Sequence, residues 1–501
     1  MNALSSRRWY VLLGVLIAVV YALVAVEAAR CEFLLVNDYI AFTMIRIGAW
    51  PSSILQSLFD VSAPGAGLFR PFPDVMAYVF ASLFRAHSGA WHVVLVVVRL
   101  VSVGLAFRIA QESSTSKAAA AAGAAYFAFF PAFPEIDLLR AENWLLPALA
   151  ATFLGWLRLR RDAGARRWWI VPAFLIATTS KEIAAPLCAV LFVLLAPHFW
   201  RRGNLARAAL ALMLLALVNQ IARCALMLAD PYARGSGSLL ARLPLSAFWN
   251  AKVWLLVATS FPLLSLILLV LMIAGVRRLP LGAAILLVVS IGMSVAAPYP
   301  AIRYAYPAAL FLVPCIAAGV DALRPRLAVV MAATAIVLLA IFGGANLIAQ
   351  AAAMRASTRA DWQLLNQLAA AFASGRDVVV LEDPDFERSF WMRAELVGVD
   401  PRWPFLSYVG RQYADEKPVV WPASPGAVNL TGLVPANPTA RFILTRNPAV
   451  SGDAIVVAAN PIPGIDRSAF TRFARMLNPR FHYAVDLGHS PYPGHHWTRV
   501  R

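Results

Sequence analysis

Residues 7–31 read RRWYVLLGVLIAVVYALVAVEAARC: two arginines, then an apolar run whose only charge is Glu27, then small residues ending at Arg30 and Cys31. A helix rises about 1.5 Å per residue, so an uninterrupted apolar run of roughly 20 residues spans about 30 Å of hydrocarbon. The apolar core of a signal peptide is shorter, about 7–15 residues. Residues 9–29 are therefore expected to stay in the chain as a first membrane span. Arg30 immediately before Cys31 argues against a lipoprotein anchor. Arg7 and Arg8 ahead of the run place its N-terminal end in the cytoplasm, because positively charged flanks are retained there.

The composition extends that reading to the whole chain. Its 501 residues are 60% hydrophobic and only 14% charged, with a mean hydropathy of +0.68. An ordinary soluble enzyme is excluded. Eleven apolar segments are predicted to span, near 9–29, 91–110, 118–134, 143–159, 168–180, 183–199, 207–228, 250–274, 281–298, 304–322 and 327–350.

The formal charge of +18, from 44 basic and 26 acidic residues, would point to nucleic acid in a soluble chain, but its location decides otherwise. Arg158, Arg160, Arg161, Arg166 and Arg167 fall in one short loop; Arg201, Arg202 and Arg207 in the next but one; then Arg277 and Arg278, and Arg324 and Arg326. Every second loop is basic, as the positive-inside rule demands. Eleven spans in this phase deliver residues 351–501 to the extracytoplasmic side.

Only four lysines occur, Lys117, Lys181, Lys252 and Lys417, against forty arginines, a bias that points to a GC-rich bacterial genome and the inner membrane. The four cysteines, Cys31, Cys188, Cys224 and Cys315, have neither a disulfide framework nor metal-type spacing.

The extracytoplasmic loops are of another kind. Residues 30–90 carry LLVNDYIAF with Asp38, then GLFRPFPDVMAYVFASLF with Arg70, Asp74 and Arg85, a stretch suited to lying along the membrane surface. The next loop, FFPAFPEIDLLRAENW, holds Glu135, Asp137, Arg140 and Glu142. After it come TTSKE, with Lys181 and Glu182, and PYPAIRYAYPA, with Arg303 and Tyr304. Singly, each has a plain explanation. Asp38 would be the first hydrated residue after a span, Lys181 and Glu182 an interfacial turn, Arg303 a snorkelling side chain. Jointly they fall on one side of the membrane beside span ends, where ionisable groups mark a site.

Transfer of a group from a lipid phosphate to a hydroxyl needs such a set. An aspartate can take the hydroxyl proton. Cations stabilise the departing phosphate, lysine as a point charge and arginine as a planar fork.

These residues resemble the GT-C membrane glycosyltransferases, most of all the protein O-mannosyltransferases and the tetratricopeptide-repeat O-mannosyltransferases. NDY is similar to their acidic pair after the first span, and FRPF followed by AWHVVLVVVRLVSVGL to their Arg-Pro motif and second span. FAFFPAFPEIDLLRAENWLL resembles their Phe-Ala-x-x-Pro, Glu, Arg loop, TTSKEIAAP their Ser-Lys-Glu turn, and IRYAYPA their Arg-Tyr-x-Tyr-x-Pro segment. The motifs keep the family's order and cover about 1–320.

The resemblance implies an inverting transferase with a polyprenyl-phosphate sugar donor. Carried onto this chain, Asp38 is the catalytic base, and Glu135 or Glu142 positions acceptor or sugar. Lys181, Arg303 and Tyr304 hold the donor, Arg70 and Arg140 shape the site, and Glu182 orients Lys181. Where the family commonly has a second acid this chain has Tyr39, which weakens direct metal ligation there. No cofactor is required by the residues; a divalent cation is the one candidate. Partners expected from the reading are the lipid-linked donor, a glycan, lipid or protein acceptor, and membrane lipid.

The whole is expected to be a polytopic α-helical membrane protein of GT-C type, with residues 1–350 as the catalytic membrane domain and 30–90 as its first periplasmic loop. Residues 351–501 are expected to form a periplasmic α/β domain. There DWQLLNQLAAAFASG predicts a helix, and DVVVLEDPD, RFILTRNP and AIVVAANP predict strands. Nothing in it resembles tetratricopeptide repeats. PGHHW, with His495 and His496, reads as an exposed tail rather than a metal site. The rival from another class is a lipid or glycan flippase or transporter, which would predict charges near mid-span and internal repeats related by symmetry; neither stands out, although Arg99 and Arg223 lie within apolar runs.

Overall fold

The computed structural model describes residues 3–31, 71–84, 87–130, 141–162, 167–181, 184–229, 262–296, 306–349, 351–352, 355 and 359, and the strands at 378–381, 405–407, 419–421, 440–444, 455–461 and 495–499. The described helices are α1 (Ala3–Ala28), α2 (Pro71–Phe84), α3 (Ser88–Ser113), α4 (Lys117–Ala128), α5 (Ala141–Arg161) and α6 (Ile170–Ser180). They continue with α7 (Ala185–Trp200), α8 (Asn204–Ala229), α9 (Pro262–Val276), α10 (Leu281–Ala296), α11 (Tyr306–Ala322) and α12 (Pro325–Leu338). Each of the eleven expected apolar segments overlaps one of these helices. The additional one, α2, is the stretch expected to lie along the surface. By length and composition, α1, α3, α8 and the continuous helix Pro325–Ala349 are long and apolar enough to cross a bilayer. The protein is a multi-pass membrane protein.

The core of the bundle sits on α4 and α11, which are buried on every side. An all-round buried helix must present small residues where neighbours approach, and α4 reads KAAAAAGAAYFA. Elsewhere the backbones meet through glycine. A Cβ on Gly275 of α9 would stand 1.8 Å from the Cys315 carbonyl oxygen of α11, and one on Gly319 of α11 would stand 2.0 Å from that of Leu271. Gly319→Leu is expected to force α9 and α11 apart and lower the melting temperature of the detergent-solubilised protein by several degrees, since overpacking costs about 1–3 kcal/mol or more; an unchanged melting curve would refute this close packing. By contrast, Leu212, Leu215 and Val218 of α8 and Leu266 and Leu269 of α9 are exposed, as residues facing lipid would be.

Polar contacts gather at two ends of the bundle. At one, Asp321 at the end of α11 accepts from the backbone N–H and, at 2.9 Å, from the hydroxyl of Thr115, and at 3.2 Å from the N–H of Ser116, which itself N-caps α4. Arg278 donates to the Asp321 carbonyl at 3.1 Å. Arg158 and Arg161 of α5 pair with Glu112 of α3 at 2.9 and 2.7 Å. Lys117 lies 5.8 Å over the ring of Tyr10. At the other end, Arg355 pairs with Glu27 at 2.8 Å, a charge contact not aligned as a hydrogen bond. Tyr10 and Glu27 stand 17 positions apart on α1, about 26 Å of helix. Every residue in the first group belongs to the side expected to be basic and cytoplasmic, and both in the second belong to the other, so the alternation read from the arginines is internally consistent.

After α12 the helix passes through a π turn, Leu339–Gly343, and continues to residue 349. A Cβ on Gly343 would lie 1.9 Å from the Phe129 carbonyl oxygen at the end of α4, so only glycine lets the two backbones touch. The same site is a one-turn irregularity of the kind that clusters near functional regions.

The strands form one mixed sheet in the order β3-β2-β4-β1-β5-β6. Here β1 is Val378–Leu381, β2 Phe405–Ser407, β3 Val419–Trp421, β4 Ala440–Leu444, β5 Ile455–Pro461 and β6 His495–Arg499. β1 and β5 are parallel; the other pairs are antiparallel. Three strands were expected, at β1, β4 and β5. The segment with His495 and His496 is a correction, being an edge strand rather than a free tail: His496 stands opposite Asn460 and His495 opposite Pro461. The helix expected over 361–375 lies outside the described residues.

Candidate functional site

Lys181 is the one expected site residue whose side chain is described. α6 stops at Ser180, and Lys181 is extended, with φ −157° and ψ 138°. It is 6% exposed. The three residues before it are polar, which is costly at membrane depth unless their hydroxyls are satisfied. Thr178, Thr179 and Ser180 each donate to the carbonyl four residues back, on Phe174, Leu175 and Ile176, at 2.8, 2.7 and 2.6 Å. The helix end is thereby sealed against its own polarity, and the chain turns at once. Ala184 N–H donates to the Lys181 carbonyl at 3.0 Å, and α7 begins with proline in its first turn. A cation at a helix C-terminus faces the negative end of the dipole. The amine that results is buried, yet set at a chain break rather than inside a helix.

An aromatic cluster locks the neighbouring elements. Phe80 of α2 packs edge-on against Trp91 of α3 and Trp144 of α5 at ring separations of 5.8 and 5.7 Å, and Phe72 of α2 against Trp144 at 5.8 Å. Such pairs contribute about 0.5–1.5 kcal/mol each beyond area burial. α2 also packs on α6, the helix that ends at Lys181. Phe72 follows Arg70 by two positions, and Trp144 follows Glu142 by two. Phe80→Ala is expected to cost about 3 kcal/mol or more of bundle stability; a melting temperature equal to native would show that α2 is not held by this contact.

Glu142 falls within α5, Ala141–Arg161, and its side chain lies outside the described ones. Asp38, Arg70, Glu135, Arg140, Glu182, Arg303 and Tyr304 lie outside the described residues. The helices next to them in the chain are described: α1 ahead of Asp38, α4 ahead of Glu135, and α11, which begins two positions after Tyr304. Among the described residues no group of three or more His, Cys, Asp and Glu side chains is placed to hold a metal ion.

A residue given no role by the sequence reading joins those three helices. Arg99 of α3 is 3% exposed. Its Nε donates to the Tyr21 hydroxyl of α1 at 3.2 Å, and its Nη2 to the Phe127 carbonyl of α4 at 2.8 Å. The guanidinium carbon lies 4.5 Å from the ring centre of Phe127 and 4.1 Å from that of Tyr306, the first residue of α11. Tyr21 passes the contact on, donating to the Ala128 carbonyl at 2.9 Å. Phe130, at the end of α4, meets Tyr306 at 5.9 Å. The signal was present in the sequence as an arginine inside an apolar run, but its partners come from three distant segments.

No protein-family model matches the chain, and no curated protein matches its sequence. Among solved structures it is similar to the crystal structure of ArnT from Cupriavidus metallidurans in the apo state. The identity is 16% and the TM-score 0.47, over 78% of this chain and 85% of that one. The same protein bound to undecaprenyl phosphate aligns at 16% identity and a TM-score of 0.47, over 77% and 84%. Likeness at that level leaves the activity to be argued from this chain's own residues.

Proposed function

We propose that the protein is a GT-C glycosyltransferase that moves a monosaccharide, with inversion, from a polyprenyl-phosphate donor to a hydroxyl acceptor at the periplasmic face of the inner membrane. The observation that carries the proposal is Lys181: a buried ammonium at the break between α6 and α7, in the turn that resembles the family's Ser-Lys-Glu motif. A lysine at the end of a span is a compact point charge of the kind that suits a phosphate. A lipid phosphate reaching a helix end from the bilayer is an anion of that kind.

In this mechanism Asp38 removes the acceptor's proton as the sugar transfers, and the phosphate leaves with its charge met by Lys181 and Arg303. Glu135 and Glu142 position sugar or acceptor hydroxyls. Arg70, Arg140 and Tyr304 complete the donor pocket, and Glu182 keeps Lys181 aimed. Residues 1–350 are the catalytic domain. Residues 351–501, on the periplasmic side, recognise the acceptor or brace the membrane part. A divalent cation enters no step.

The ArnT structure with undecaprenyl phosphate shows that a protein of partly similar outline binds such a lipid; the reading here stands on the residues named. In the transporter reading Arg99 would line a pathway, but it is enclosed by Tyr21, Phe127 and Tyr306, so its surroundings do not favour that alternative.

The test uses the full chain in proteoliposomes with labelled polyprenyl-phosphate sugars and extracted envelope acceptors. Label is expected to move into acceptor with release of polyprenyl phosphate. Label that crosses the bilayer still attached to its lipid, with none transferred, would replace the enzyme by a flippase.

A further inference from the structure

A fully buried guanidinium is expensive: an apolar side chain of similar volume in the same place is commonly neutral or stabilising. Arg99 also leaves its Nη1 buried with no hydrogen-bond partner among the described residues, as Tyr306 does its hydroxyl. Packing alone gives no reason to keep it. What distinguishes Arg99 is which elements it ties together. From α3 it reaches α1 through Tyr21, α4 through the Phe127 carbonyl and ring, and α11 through the Tyr306 ring. Those are the helices next in the chain to the segments bearing Asp38, Glu135 and Arg140, and Arg303 and Tyr304. The contacts lie near the same end of each helix: Phe127 and Ala128 close α4, Tyr306 opens α11, and Tyr21 is in the later part of α1. At that end Gly89 of α3 packs on the backbone of Ala29, just past α1, where a Cβ would stand 2.2 Å from its carbonyl oxygen.

We infer that Arg99 is a positioning residue: its planar fork fixes α1, α4 and α11 at one mutual spacing, so that the proposed base Asp38, the sugar- or acceptor-positioning Glu135 and the phosphate-binding Arg303, on three separate segments, are held in register. The inference rests on the proposed transferase reading for its catalytic consequence, but the helix clamp stands on the contacts alone. A guanidinium suits the task because it can donate in two directions within its plane while keeping its charge against aromatic rings. Lysine has the charge without the fork.

The test uses the full chain with Cys188, Cys224 and Cys315 replaced by alanine, leaving Cys31, which is 2% exposed at the end of α1 and donates to the Glu27 carbonyl. Arg99→Met, Arg99→Lys and Tyr21→Phe are compared for thermal unfolding, for turnover and donor KM in proteoliposomes, and for labelling of Cys31 by a membrane-impermeant maleimide. Arg99→Met is expected to lower kcat by roughly a hundredfold, the size expected for a misplacement of about 1 Å, with donor KM changed less than about threefold and Cys31 labelling several times faster. Tyr21→Phe should shift the same quantities in the same direction, but less, and Arg99→Lys should recover part of the protection of Cys31.

Native turnover and native labelling in Arg99→Met overturn the inference. So does a loss of activity that only tracks a fall in melting temperature, with Arg99→Lys no better than Arg99→Met. If the parent chain transfers no sugar, the transferase reading fails by itself, and the clamp is then decided by the maleimide: faster labelling supports it, and an unchanged rate refutes it.

Discussion

The Asp38→Asn chain is expected to transfer sugar about 10²–10⁴ times more slowly than the native one while binding donor as well, because it keeps the shape and loses the group that takes the acceptor's proton. The measurement is initial transfer rate in proteoliposomes alongside binding of a polyprenyl phosphate. A fall in kcat with KM unmoved identifies an interaction made in the transition state only. Asparagine that works as well as aspartate would remove the base from the mechanism, and with it the strongest reason for placing the first extracytoplasmic loop in the site.

Lys181→Met should produce the opposite pattern. The methionine fills a similar volume at a position only 6% exposed, and thermal unfolding measured alongside separates any loss of stability from the loss of donor affinity. The phosphate loses a desolvated counter-charge, and truncating one partner of a buried, hydrogen-bonded charge pair costs about 2–5 kcal/mol. Donor affinity is expected to fall by roughly a hundredfold, with the effect larger for binding than for the step after it. Lys181→Arg should recover little, since a fork on a longer stem does not replace a point charge at a tight turn. Donor affinity within about twofold of native in the methionine chain would detach Lys181 from the phosphate, because loss of a charge contact of this kind shifts affinity far more than that.

The helical bundle was largely legible because its signal is local. Each apolar segment is a run of neighbours in the chain, and its helix follows from neighbours alone. The hydroxyl-lined end of α6 was equally legible, since Thr178, Thr179 and Ser180 are consecutive and each hydroxyl donates to the carbonyl one turn back. The contacts that need the third dimension were not. Nothing adjacent to Gly275, Gly319 or Gly343 says that another backbone lies against them. Nothing beside Arg99 names Tyr21 or Tyr306, 78 positions away in one case. Of the strands, β1, β4 and β5 carry apolar residues in series, whereas β2 and β3 are three residues each and β6 begins with two histidines. Segments so short or so polar are strands only through their partners. The site itself was legible as a list of residue types on one side of the membrane, and Lys181 alone among them is described with its surroundings.

The ion pair between Glu27 and Arg355 sets where the chain can be cut. A boundary drawn at residue 350, where the hydrophobic sequence ends, discards the cation and strands a carboxylate that is only 18% exposed. A fragment ending just beyond Arg355 retains the counter-ion and costs five more residues. A shortened chain that keeps those few positions should therefore be the more stable of the two.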